Sequence, residues 1–110
     1  MRLGDRRKNT RFDCTHPVHY AYGDAPMRMG LLNDISIGGV LLASHEPVPD
    51  GIRITIRLRD PRAQADIELR GHVRHRADDR AYGVAFIELS SEALELVDYL
   101  LTLAQTRASD

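Results

Sequence analysis

Two short stretches carry residues whose types and spacing suit an anionic, ring-bearing ligand. Arg6-Arg7-Lys8-Asn9-Thr10-Arg11 concentrates four cations in six residues. All but one of the chain's 15 basic residues are arginine, Lys8 being the exception. That choice matters because a guanidinium is a planar fork that matches phosphate oxygens and stacks on flat rings, whereas an ammonium is a point charge. Standing ahead of the first patterned segment, this cluster could close over an anion; a solvated tail is the plain alternative. The second stretch, Asn33-Asp34-Ile35-Ser36-Ile37-Gly38-Gly39, lies where a strand gives way to a loop. Asp34 could accept from the edge of a base, the Ser36 hydroxyl could donate, and Gly39 would let backbone come close to a ligand. Here the alternative is a turn in which Asp34 or Ser36 satisfies its own backbone.

The remaining chemistry-bearing residues read as structural. His16-x-x-His19 and His72-x-x-His75 resemble metal pairs, but residues three apart in a strand face opposite sides, and nothing completes a four-ligand set. Ser36 lies in no G-x-S-x-G elbow and has no convincingly placed histidine, which argues against a hydrolase. Cys14, the single cysteine, reads as a small semi-buried residue and cannot form an intrachain disulfide.

The elements that must position these residues follow from periodicity. A chain of 110 residues that is 43% hydrophobic fits one domain able to bury a core without staples. Met1 to Arg11 has almost nothing to bury and is expected to be a mobile tail. Period-two runs then mark strands at Val18 to Tyr22, Met27 to Ile35, Val40 to Ala43, Ile52 to Arg59, Ile67 to His75 and Tyr82 to Phe86, with Gly71 expected to mark a bulge or bend. Ser90-Ser91-Glu92 offers a helix start. Leu94, Val97, Leu101 and Ala104 repeat at helical spacing, predicting a helix from about Ser91 to Gln105; Leu96, Leu100 and Leu103 widen its apolar face enough to contact a second protein. The fold expected is a small antiparallel six-stranded β-barrel with a C-terminal helix. A formal charge of −1 excludes a globally basic nucleic-acid coat, and no apolar run is long enough for a spanning helix. With no export-type segment at the N-terminus, the cytoplasm is the expected compartment.

The two motifs in order, Arg7-x-x-x-Arg11 and then Asp34-x-Ser36-x-x-Gly39, on six strands with a closing Gly83-Val84-Ala85-Phe86 and a terminal helix, resemble the PilZ domain, the bacterial receptor family for cyclic di-GMP. The resemblance covers roughly Arg6 to Leu103. It implies one PilZ-like domain over 1–110, divided into a switch segment (1–15), the barrel (16–89) and the helix with its tail (90–110). It further implies that Arg7 and Arg11 meet phosphates and guanine faces while Asp34, Ser36 and Gly39 meet the ligand from the barrel surface. An arginine at the position of Arg6 goes, in the family, with two intercalated ligand molecules. The function implied is a cytoplasmic, non-enzymatic adaptor that needs no cofactor. It would change shape on binding cyclic di-GMP and relay the signal to an unidentified protein effector in motility or exopolysaccharide control, without binding DNA or RNA or inserting into a membrane. A PilZ-fold interaction module that does not bind nucleotide is the alternative. His75 and Arg76 lie where the family often places another ligand contact, with their register left open.

Overall fold

The computed structural model describes residues 11–78 and 80–109. Arg6 and Arg7, like the rest of the expected tail before Arg11, lie outside the described residues. The strands are β1 (Phe12–Ala21), β2 (Arg28–Ser36), β3 (Gly39–Ala43), β4 (Arg53–Asp60), β5 (Ala65–Asp78) and β6 (Ala81–Phe86), followed by α1 (Ser91–Ser109). All neighbours pair antiparallel, and the sheet closes on itself in the order β1-β2-β3-β6-β5-β4, the barrel expected from the six period-two runs.

Alternation builds the interior. Ile54, Ile56 and Leu58 of β4 point inward between exposed arginines, and Leu69 and Val73 of β5 join them with Val18, Tyr20, Leu32, Ile35, Val40, Leu42, Tyr82 and Val84. Each fully buried aliphatic side chain contributes about 1.5–3 kcal/mol relative to exposure. The buried Tyr20 hydroxyl is satisfied by Ser44 Oγ, which also donates to the Glu46 carbonyl at 2.8 Å.

Several local expectations are corrected. The barrel does not start at residue 16: β1 begins at Phe12, taking in the last four residues of the segment expected to be a switch, and passes through Pro17. Proline is tolerated because β1 pairs with β4 only over His19 to Ala21, so Pro17 lies where the strand has one neighbour. Gly71 is neither a bulge nor a bend: it pairs in register with Ile54 and Phe86. A Cβ there would stand 2.7 Å from the Ala85 carbonyl oxygen, so the glycine serves close packing of β5 on β6. Cys14 is buried at the margin of the core, 8% exposed, rather than half-buried.

The helix starts as expected, with Ser90 Oγ accepting from the Ala93 amide at 3.1 Å, but it continues past Gln105 to Ser109. Its buried stripe is Ala93, Leu96, Val97, Leu100 and Ala104, while Leu94 faces solvent. Apolar residues occupy two overlapping stripes at helical spacing, so spacing alone could not choose the face that the barrel covers.

One polar cluster fixes the β4–β5 turn to this helix. Asp60 continues the inward row of β4 and is buried, and its carboxylate accepts from Arg62 Nε at 3.1 Å, from Arg62 Nη2 at 2.9 Å and from the Arg62 amide at 2.9 Å. The same guanidinium lies 4.7 Å from the centre of the Tyr99 ring on α1. Hydrogen bonds from the Arg62 side chain hold the Asp60 carboxyl below the ordinary aspartate range. A carboxyl depressed in the folded state stabilises the fold above its unfolded pKa, and that stability is lost as pH falls through the folded value. Thermal stability should therefore decline as the pH drops below about 4. Melting curves of Asp60→Asn should start lower at neutral pH and show a shallower acid decline; an acid limb equally steep in both proteins would remove Asp60 as its source.

Candidate functional site

Arg11 and Asp34, 23 residues apart in sequence, meet because β1 and β2 form a hairpin whose register sets Phe12 opposite Ile35. Arg11 Nη1 donates to Asp34 Oδ1 at 2.5 Å, with the arginine side chain 40% and the aspartate side chain 18% exposed. Such a half-exposed pair contributes about 0–1 kcal/mol, weak enough to be exchanged for a ligand.

Asp34 faces outward because of a bulge. Strict alternation from the buried Leu32 would send Asp34 into the core and Ile35 to solvent. Instead the β2–β3 register shifts between Leu32 and Asp34, making Asn33 an extra residue, so Ile35 is buried and Asp34 reaches the surface. A second shift, in the β1–β2 pairing, lies between Asp13 and His16 and leaves Asp13 directly opposite Asp34. Two carboxylates on one rung repel, and Arg11 offsets that repulsion. Asp13 is the residue here that motif reasoning missed; its only signal was a cross-strand partner.

Ser36 and Gly39 occupy the corner beyond. Ser36 is 1% exposed, and its hydroxyl donates to the Gly39 carbonyl at 3.3 Å, which is the self-satisfied turn weighed as the alternative above. Gly39 opens β3 and is buried; a Cβ would fall on the Val84 carbonyl oxygen. The glycine thus lets β3 approach β6 whether or not a ligand is present. Ile37, at the tip of the turn, is 68% exposed.

Cross-strand register extends this corner into a surface. By backbone pairing, one row runs Asp13, Asp34, Leu41, Gly83 and His75, and the next runs Ser36, Gly39, Ala85, His72 and Arg53. Gly83 and Ala85 contribute little side chain where β6 crosses these rows, and Leu41 stands beside Gly83. A flat ring could lie there, with Arg11 and Asp34 at one side and the basic residues of β4 and β5 at the other. The backbone register also places Arg76 opposite Tyr82. By contrast, a concavity of about 310 Å³ between the start of β5 and the N-terminus of α1 sets four carboxylates, Asp66, Glu68, Glu88 and Glu92, against one cation, Arg70, a balance that disfavours an anion.

The buried Cys14 adjoins this site. Burial pushes its thiol pKa up, the Arg107 charge pulls it down and Asp34 raises it further. A thiol held protonated in a core is a poor nucleophile. Iodoacetamide at mildly alkaline pH should alkylate Cys14 slowly in the native protein and rapidly in denaturant; equal rates would place the thiol at the surface.

The PilZ domain family matches the sequence over residues 5–102, nearly its whole length and including both motifs. The chain belongs to the PilZ domain family. Solved structures with the same fold include the PilZ domain of CeSA from a cellulose-synthesizing bacterium, at TM-score 0.67 and 18% identity over 86% of this chain and 97% of that one. The Bacillus subtilis inhibitor of motility MotI/DgrA matches at TM-score 0.69 and 22% identity, over 92% of this chain and 52% of that one. The Borreliella burgdorferi PlzA protein, solved in complex with c-di-GMP, matches at TM-score 0.67 and 19% identity, over 89% of this chain and 43% of that one. This PilZ domain thus spans about half the length of the last two proteins. At these identities the likeness establishes the shared barrel. A search of curated protein sequences finds no match.

Proposed function

We propose that this PilZ domain is a receptor for cyclic di-GMP, acting as a non-enzymatic adaptor. The observation that carries the reading is the Arg11–Asp34 contact, which sets the last arginine of the first motif on the carboxylate of the second. Guanine presents acceptors at O6 and N7 and donors at N1 and N2; an arginine fork beside a carboxylate is the complementary pair. The structure of the PlzA protein with c-di-GMP supports the same ligand class.

In this reading the ligand breaks the weak pair, Arg11 turns to O6/N7 or phosphate, and Asp34 accepts from the base. Arg6 and Arg7 add two more guanidiniums from the N-terminal side, and the backbone at Ser36 and Gly39 supports the ligand from the barrel corner. Three arginines exceed what one molecule's guanines need and suit an intercalated pair, so two molecules bind per chain. Closure of the arginine segment over them is the shape change relayed to a protein effector, in the cytoplasm and in control of motility or exopolysaccharide synthesis. Neither nucleic acid nor membrane insertion is part of this role. Among the described residues no helix is long and apolar enough to cross a membrane.

Isothermal titration of the protein with cyclic di-GMP in low salt tests the proposal. The expected result is saturable binding at about two ligands per chain, weakened by salt, with GTP and cyclic AMP far weaker. Arg6→Ala should reduce the count to one while leaving a measurable site. Absence of heat and of any thermal shift would overturn the receptor reading, and a count of one in both proteins would overturn the intercalated pair alone.

A further inference from the structure

The outward face of the β4–β5 hairpin is two electrostatic surfaces joined end to end. Near the turn each arginine has a carboxylate across the rung: Arg57 Nη2 donates to Glu68 Oε2 at 3.2 Å, and Arg59 Nη1 lies 3.9 Å from Asp66 Oδ1. Beyond those rungs no carboxylate stands across the hairpin, although Arg70 also lines the concavity that holds Glu68, Glu88 and Glu92. Thr55 faces Arg70 and Arg53 faces His72, and the exposed Arg74 follows at a register shift of β5 against β6. Arg53, Arg70 and Arg74 are exposed, and among the described residues none of them has an ion-pair partner. Neighbouring like charges on a sheet repel, so this cluster does not serve stability. The paired rungs beside it show that carboxylates fit this hairpin where stability is the requirement.

We propose that the open end of this face, Arg53, Arg70, His72 and Arg74, is a docking surface for an extended acidic segment of a protein partner. Alternate residues of a strand stand about 6.7 Å apart on one face. An extended chain with Asp or Glu at every second position repeats at the same spacing and can set successive carboxylates against Arg70 and His72, with Arg53 reached across the rung and Arg74 at the bulge just beyond. At Gly71 and His72, β5 is paired with β4 on one side and β6 on the other, so the centre of this surface offers no backbone edge for strand addition and recognition there falls to the side chains. These positions include no Phe, Tyr or Trp, leaving bases only the His72 ring and the guanidiniums to stack on, a poorer platform for single-stranded nucleic acid. His72 also sits on the row that leads through Ala85 to Gly39. On the cyclic di-GMP reading, ligand and partner would therefore occupy adjoining ground, and the dianionic ligand would weaken the hold on an acidic segment; the docking surface itself does not depend on that reading.

The test uses the full chain without nucleotide and a short fluorescein-labelled peptide of alternating Glu and Ser, followed by anisotropy in low salt. Saturable binding is expected, weakened about five- to tenfold by Arg70→Gln with Arg74→Gln and unchanged by Arg59→Gln. Arg53→Gln gives a second, independent reading, and thermal melts confirm that each variant is folded. Binding unaffected in the double variant would overturn the proposal. So would tighter binding of an oligouridine through the same arginines, or association of the chain with itself through them in place of peptide binding. With nucleotide absent throughout, failure here leaves the cyclic di-GMP reading standing, and failure of that titration leaves this one.

Discussion

Replacing Gly39 by alanine is expected to destabilise the barrel whether or not ligand is present. The added Cβ would lie on the Val84 carbonyl oxygen, a backbone atom of β6 that cannot swing aside as the end of a flexible side chain can. Gly39 is paired to Ala85, and the adjacent Gly38 carbonyl accepts from the Phe86 amide at 2.9 Å, so relief requires pulling β3 away from β6 at the end of their ladder. Forced overpacking of this kind costs about 1–3 kcal/mol, and a value near the top of that range lowers Tm by about 10 °C or more in a domain of this size. Thermal melts of apo parent and variant measure it. A variant that melts with the parent yet no longer binds cyclic di-GMP would show that the glycine is required by the ligand rather than by the barrel.

Gly39 illustrates which parts of this molecule are legible in its sequence. Strand existence and the inward faces of β4 and β5 followed from alternation, because each is set by residues two apart in one segment. The motif pair was equally legible, and Arg11 and Asp34 do meet, since a hairpin brings the start of β1 beside the end of β2. What could not be read depends on neighbours distant in sequence. Asn33 and Asp34 are both polar, so nothing local says that one is extra in the ladder and that Asp34 therefore faces out with Ile35 in. The close approaches at Gly39 and Gly71 involve Val84 and Ala85, and the row from Gly39 to Arg53 exists only through three pairings. Pro17 shows the same dependence: the strand expected from Val18 starts earlier and runs through the proline, because β1 has no β4 neighbour there to lose a bond. On α1, two apolar stripes of equal period left the choice of face to the barrel.

The second large effect is expected at the Arg11–Asp34 pair, where stability and affinity should separate. Asp34→Ala and Arg11→Ala should each weaken cyclic di-GMP binding by about 1.5–3 kcal/mol, the range for a hydrogen bond to a charged group. Their apo stabilities should differ. Removing Arg11 leaves Asp13 and Asp34 facing each other on one rung without a cation, a cost of up to about 1 kcal/mol that shrinks with salt. Removing the Asp34 carboxylate abolishes the ion pair and the repulsion together, so its melting temperature should stay close to that of the parent. Asp13→Asn in the Arg11→Ala background should restore stability without restoring affinity, because it removes the repulsion but supplies no fork for guanine or phosphate. Asp34→Asn should recover little affinity, since the amide oxygen and its NH₂ group cannot both accept from N1 and N2 of a guanine as a carboxylate does. Titrations and melts of these four proteins decide between two roles for the pair. If affinity returned together with stability in the Arg11→Ala, Asp13→Asn protein, Arg11 would only neutralise the rung; if it did not, the guanidinium must touch the ligand itself.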